Sequence, residues 1–145
     1  MVLRIEFLYI TNMQLAAITE QKASLSDALW KVIYDTAVKY DKIAPDQRIR
    51  QYIEQNAEIT PFDGGAFVAV GNEFDLYVLP EKQGKWRIRD VLNDYLAKMT
   101  DKYGTLVVKI HEDNHKSLRL AKFFKFKEVS RIDGKLTLER KPWDQ

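Results

Sequence analysis

Apolar and polar residues alternate at the start of the chain, where Leu3, Ile5, Phe7 and Tyr9 are separated by positions that include Arg4 and Glu6. That period of two predicts an opening strand. The period then lengthens. Leu25, Leu29, Val32, Ile33 and Tyr40 keep helical spacing behind a cap at Ser24 or Ser26, and Pro45 breaks the pattern. A second, short helix puts Ile49, Tyr52 and Ile53 on one side. Thr60-Pro61 and Asp63-Gly64-Gly65 predict a loop, followed by strands over 66–70 and 73–79 that Gly71-Asn72 joins as a two-residue hairpin turn. Pro80 ends the second of these. The clearest helix comes next: Ile88, Val91, Leu92, Tyr95, Leu96, Met99 and Tyr103 form one apolar stripe, and Gly104 stands where a left-handed C-cap is expected. The apolar run 105–110 suits a buried strand. Asn114 can cap a helix carrying Leu118, Ala121 and Phe124, and two strands around Asp133-Gly134 close the chain.

The order β-α-α-β-β-α-β-α-β-β, with no repeat and no linker, predicts one α/β domain over residues 1–145. A length of 145 residues is enough for one core, and 46% hydrophobic with 30% charged residues excludes a disordered chain. No apolar run is long enough to span a bilayer, so no membrane partner is expected. Arg4 and Glu6 interrupt the first apolar stretch, so no secretory leader is expected and a cytoplasmic location is. Without cysteine there is no disulfide, thiol nucleophile or thiolate metal site. A net charge of +2 is too small to argue for nucleic acid.

The distribution of charge says more than its sum. Lys82, Lys85, Arg87 and Arg89 gather where the long helix starts, with no acid among residues 82–89. Each cation at a helix N-terminus is unfavourable by roughly 0.3–1 kcal/mol, and a bound phosphate or carboxylate would relieve the cluster. The alternative is a solvated group balanced by Asp90 and Asp94.

The run Leu76-Tyr77-Val78-Leu79-Pro80-Glu81-Lys82-Gln83-Gly84-Lys85 resembles the strand and pyrophosphate loop of GNAT acyltransferases, acetyl-CoA-dependent enzymes that acylate amines. Asn114, Leu118, Leu120, Phe126 and Lys127-Glu128-Val129 are similar to that family's Asn-containing helix and the strand after it. Both motifs fall within 66–140, about half the chain. The resemblance implies a central mixed, twisted sheet flanked by helices. It implies acetyl-CoA contacts from Leu76, Tyr77 and Val78 along the strand, from Gln83, Gly84, Lys85, Trp86, Arg87, Ile88 and Arg89 at the loop and helix start, and from Asn114. It also implies an amine acceptor and a homodimer through terminal strands.

The departures from the pattern fall on the chemistry. Trp86 and Ile88 stand where the family has small residues that let the backbone approach the pyrophosphate. Ala121 replaces a tyrosine that protonates the leaving thiolate, Lys125 replaces a glycine, and Lys109 stands where some members carry a glutamate base. Glu73, Asp75, His111, Glu112 and Asp113 are the remaining candidate bases, and Asp75 is the catalytic candidate chosen among them. His111 and His115 are four apart, but a strand end and a helix start do not share a face, so no metal site is expected. Lys116, Arg119, Lys122, Lys125 and Lys127 surround Phe123, Phe124 and Phe126 without an acid. They suit either a phosphate-contacting surface, for the adenosine end of coenzyme A or for nucleic acid, or a solvated face with the phenylalanines turned inward. Residues 94–106 and 131–136 also resemble GNAT-like proteins of tailed bacteriophages, including internal virion proteins. That weaker likeness implies a second role, a non-catalytic binding or assembly component with a virion or host partner, in the host cytoplasm or the virion.

Overall fold

The computed structural model describes residues 25–41, 47–84 and 87–144. The strand expected over 3–9 lies outside them, as do Ser24, Pro45, Lys85 and Trp86. Of the described residues, 25–41, 47–70 and Leu76–Glu81 form one compact unit, and Gly71–Asp75 with 82–84 and 87–144 form a second.

In the first unit, Ser26 caps helix α1 (Asp27–Thr36) by accepting the Leu29 amide at 3.2 Å, and Asp27 suits the positive end of the helix dipole. The α-helical stripe expected as far as Tyr40 stops at Thr36, and a π-helical turn follows over Ala37–Asp41. The Thr36 hydroxyl donates to the Val32 carbonyl at 2.8 Å, a side-chain bond of the kind that bends helices. Helix α2 (Gln47–Asn56) buries Ile53 with Ile49 half-buried four residues before it. Tyr52 departs from expectation: it falls at the margin of that two-residue stripe and is 54% exposed.

The expected loop over 60–65 contains a strand. β1 (Glu58–Phe62) pairs antiparallel with β2 (Gly65–Val70), from Glu58↔Ala69 to Phe62↔Gly65, and only Asp63-Gly64 remain as the turn. Pro61 is tolerated because β1 is the first strand of the sheet order, and an edge strand need not donate on its outer side. Gly65 has a steric reason: a Cβ there would collide with the Tyr77 carbonyl oxygen and the Phe62 ring. Leu25, Leu29, Trp30, Ile33, Ile53, Ala57, Ala66 and Val68 make this unit's core, with Tyr77 and Leu79 packed against it.

The second unit begins with β3 (Glu73–Val78), whose first three residues belong to it. Phe74 is buried there, edge-on to Tyr95 at 5.3 Å and to Phe126 at 6.1 Å. Helix α3 (Arg87–Tyr103) buries Leu92, Tyr95, Leu96 and Met99, four members of the predicted stripe. Gly104 ends the helix at φ 76°, and its amide donates to the Thr100 carbonyl, the left-handed cap read from the sequence. β4 (Leu106–His111) follows, then helix α4 (His115–Phe123), then the hairpin of β5 (Lys127–Ile132) and β6 (Lys135–Arg140). β4 and β6 pair antiparallel along their whole length, from Leu106↔Arg140 to His111↔Lys135. Leu106 and Leu138 are fully buried, each worth roughly 1.5–3 kcal/mol of removed apolar surface.

The six strands run in the order β1-β2-β3-β4-β6-β5, with β3 and β4 parallel at Glu73↔Val107. Helices together with this mixed sheet give the expected α/β class. Among the described residues, no helix is long and apolar enough to cross a membrane.

Candidate functional site

The predicted anion seat is the first turn of α3. The first four amides of an α-helix have no intrahelical acceptor, and the dipole adds partial positive charge there. The chain reaches this turn through a 3-10 turn at Pro80–Lys82, the exposed Gln83, and Gly84 at φ 76°. Arg87 opens the helix, Ile88 is half-buried and Arg89 is exposed. The Arg89 guanidinium has a partner that the sequence did not reveal. It stacks over the Phe123 ring, 4.5 Å from the ring centroid, and so ties the start of α3 to the end of α4.

Of the strand residues, Leu76, Tyr77 and Val78 are half-buried in the first unit. Asp75 is exposed on β3 in the second unit. Glu73, two residues before it and on the same face, pairs with Lys109 of β4 at 3.3 Å. The ion pair joins β3 to β4 across the parallel strands.

Asn114 acts as the N-cap of α4, its Oδ1 accepting the Ser117 amide at 3.4 Å while its own amide donates to the His111 carbonyl. Ala121, where the resemblance leads one to expect a tyrosine, is buried, and its methyl group has no proton to give. At the other end of α4 the Phe124 amide donates to Leu120, that of Lys125 to Lys122, and that of Phe126 to Ala121. This winds up the last turn with Lys125 at φ 73°, a left-handed conformation in which glycine is relaxed and an L-side chain is strained.

The polar cluster after β4 serves the fold. His111 Nδ1 accepts the Asp113 amide at 3.1 Å and lies 3.6 Å from its carboxylate. Glu112 donates its amide to Gly134 and pairs with Arg131 at 3.3 Å, fastening the β5–β6 turn to the loop before α4. Arg131 also meets Glu128 at 2.8 Å, and this bond, ahead of the Glu112 charge, holds the guanidinium pKa above its ordinary value. His115 is exposed at the first position of α4.

The aromatic reading needs one correction. Phe124 and Phe126 turn inward as expected, but Phe123 is 56% exposed. The signal was present in the spacing: Leu118, Ala121 and Phe124 hold the buried stripe at steps of three, and Phe123 lies five positions beyond Leu118, off that stripe.

No family model and no curated protein sequence matches the chain. Solved structures do match by shape. The putative acetyltransferase yncA from Salmonella typhimurium, solved with its cofactor acetyl-CoA, superposes at a TM-score of 0.62, with 14% identity over 79% of this chain and 87% of that one. The ribosomal-protein-alanine N-acetyltransferase from Brucella melitensis gives 0.57, with 15% identity over 79% and 92%. The PaiA N-acetyltransferase from Thermoplasma acidophilum, in complex with coenzyme A, gives 0.55, with 16% identity over 85% and 94%. The chain has the GNAT acetyltransferase fold.

Proposed function

We propose that this GNAT-fold protein binds acetyl-coenzyme A through the first turn of α3 and transfers the acetyl group to an amine by direct attack. The observation that carries the reading is the shared fold: about four fifths of the chain superposes on acetyltransferases, two of them solved with acetyl-CoA or coenzyme A. The acid-free approach over 82–89 supports it with charge of the right sign for a diphosphate.

In this mechanism the cofactor supplies a thioester carbonyl as electrophile. The amine nitrogen forms the new C–N bond, the C–S bond breaks, and coenzyme A leaves as a thiolate. The Asp75 carboxylate takes the proton that the amine loses. Ala121 gives none, so the thiolate is protonated by water. Gln83, Gly84, Lys85, Trp86, Arg87, Ile88 and Arg89 belong to the diphosphate seat. The main chain of Leu76, Tyr77 and Val78 keeps its implied contact with the acyl-pantetheine arm as a proposal of its own.

Isothermal titration with acetyl-CoA tests binding. Measurable heat is expected, and none at millimolar ligand with folded protein would overturn the reading. Replacing Trp86 and Ile88 with glycine and alanine is expected to tighten binding by letting the backbone closer to the diphosphate.

A second reading is favoured by Ala121 and by the Lys109–Glu73 pair, which leave two chemical positions without a proton donor or base. In it the chain is a non-catalytic binding component, and the weaker likeness to phage virion proteins points to particle assembly. Turnover on an amine that falls at least tenfold in Asp75→Asn would exclude it. Co-purification with a virion or host protein, with no turnover, would favour it.

A further inference from the structure

The outer face of α4 meets the diphosphate seat proposed above at one residue, Arg89, and is otherwise distinct from it. From 115 to 127 the chain carries Lys116, Arg119, Lys122, Lys125 and Lys127 and no acid. Among the described residues, Lys127 is the member of this set engaged by a carboxylate, that of Asp144 at 3.2 Å. Lys116, Arg119 and Lys122 are exposed and follow one another at steps of three, about 4.5 Å of helix rise each. Lys125 is held exposed in a strained left-handed turn.

At the end of this basic row lies Phe123. An exposed phenylalanine on a charged helix loses the benefit of burial, yet this one has a guanidinium over its ring, 4.5 Å from the centroid. Arg89 comes from α3, so the stack is fixed by two elements of the same unit. A π-face beside a row of cations matches a base attached to successive phosphates: the ring takes a base by stacking, the lysines and arginine take the backbone. An acidic peptide would use the cations and leave the ring without a function.

We propose that the outer face of α4 binds single-stranded nucleic acid without sequence preference, with a base stacked at Phe123–Arg89 and phosphates on Lys116, Arg119 and Lys122. The modest net charge argued against nucleic acid, but that sum hides a local surplus of one sign.

Fluorescence anisotropy of a labelled twelve-nucleotide DNA strand with the full chain tests this. At 50 mM salt the expected Kd lies at about 1–100 µM, and log K falls with log salt at a slope of about −2, the value for three phosphates. Phe123→Ala, at an exposed position where folding is unaffected and checked by circular dichroism, is expected to weaken binding about 5- to 100-fold, the loss of one base stack. Phe123→Trp is expected to retain it, and Arg119→Ala to make the slope shallower by about 0.7. No anisotropy change at 100 µM protein would overturn the proposal. So would an affinity indifferent to Phe123→Ala, which would mean attraction by charge alone. Coenzyme A binding that weakens in Phe123→Ala would also overturn it, by assigning the platform to a cofactor's adenosine end. Because the readout is strand binding, its failure leaves the acetyl-CoA titration untouched.

Discussion

Strands β5 and β6 are both six residues long and share one antiparallel ladder, but every second side chain of β6 is buried while all six of β5 are exposed. β6 has a neighbour on each side, β4 and β5, and its Leu136, Leu138 and Arg140 turn to one face. β5 ends the sheet order. Across from Leu138 and Leu136 it presents Glu128 and Arg131, which bind each other. Three residues apart, these two would point to opposite faces of a regular strand. The bulge at Val129 inserts the extra residue that turns both to one side and lets them pair. A bulge and charged side chains are also what keep an edge from templating another strand. Position in the sheet, then, decides burial, and membership of a ladder does not.

The largest test of that contrast sets one side chain of each strand against the other. Leu138→Ala is expected to cost about 2–5 kcal/mol, as a fully buried leucine replaced by a cavity. Ile132→Ala, at a position 70% exposed, is expected to stay within about 0.5 kcal/mol. Urea midpoints measure both, and equal losses would break the contrast. A smaller effect is expected at the turn that leads into β5. Lys125→Gly relieves the left-handed strain and is expected to raise stability by about 1 kcal/mol, read from the same urea midpoints.

The smallest effect lies in the acid range. Asp144 accepts the Lys141 amide at 2.8 Å and the Lys127 ammonium of β5 at 3.2 Å, and these, the amide first, hold its carboxyl below the ordinary aspartate value. A depressed folded pKa stabilises fully above the unfolded value of about 4 and less as pH falls through the folded one. Thermal melts between pH 5 and pH 2 should therefore show a shallower loss in Asp144→Asn than in the parent. Parallel curves would remove Asp144 from the account of how β5 is held.

The same contrast explains what the sequence could show. α3 was legible almost to the residue, because its apolar side chains keep helical spacing and a glycine ends it, although only four of the seven are buried and Tyr103, the last, is exposed. β5 was legible only through its Asp133-Gly134 turn; Lys127 to Ile132 carry no alternation because no face of that strand is buried. β1 was hidden by Thr60-Pro61, which reads as a loop unless the strand is known to lie at an edge. In the candidate site, the resemblance located the α3 start and Asn114, and the capping role of Asn114 was readable from its place before a helix. The Arg89–Phe123 stack was not readable. It joins residues 34 apart in sequence, and neither residue's local pattern specifies the other.

Gly65 sets a limit on how this gene can drift. Its hydrogen faces a carbonyl of the neighbouring strand where even one methyl group would not fit, so a library saturated at that codon should return a single amino acid. A position with almost no side chain would then be among the least replaceable in the chain, for want of room alone.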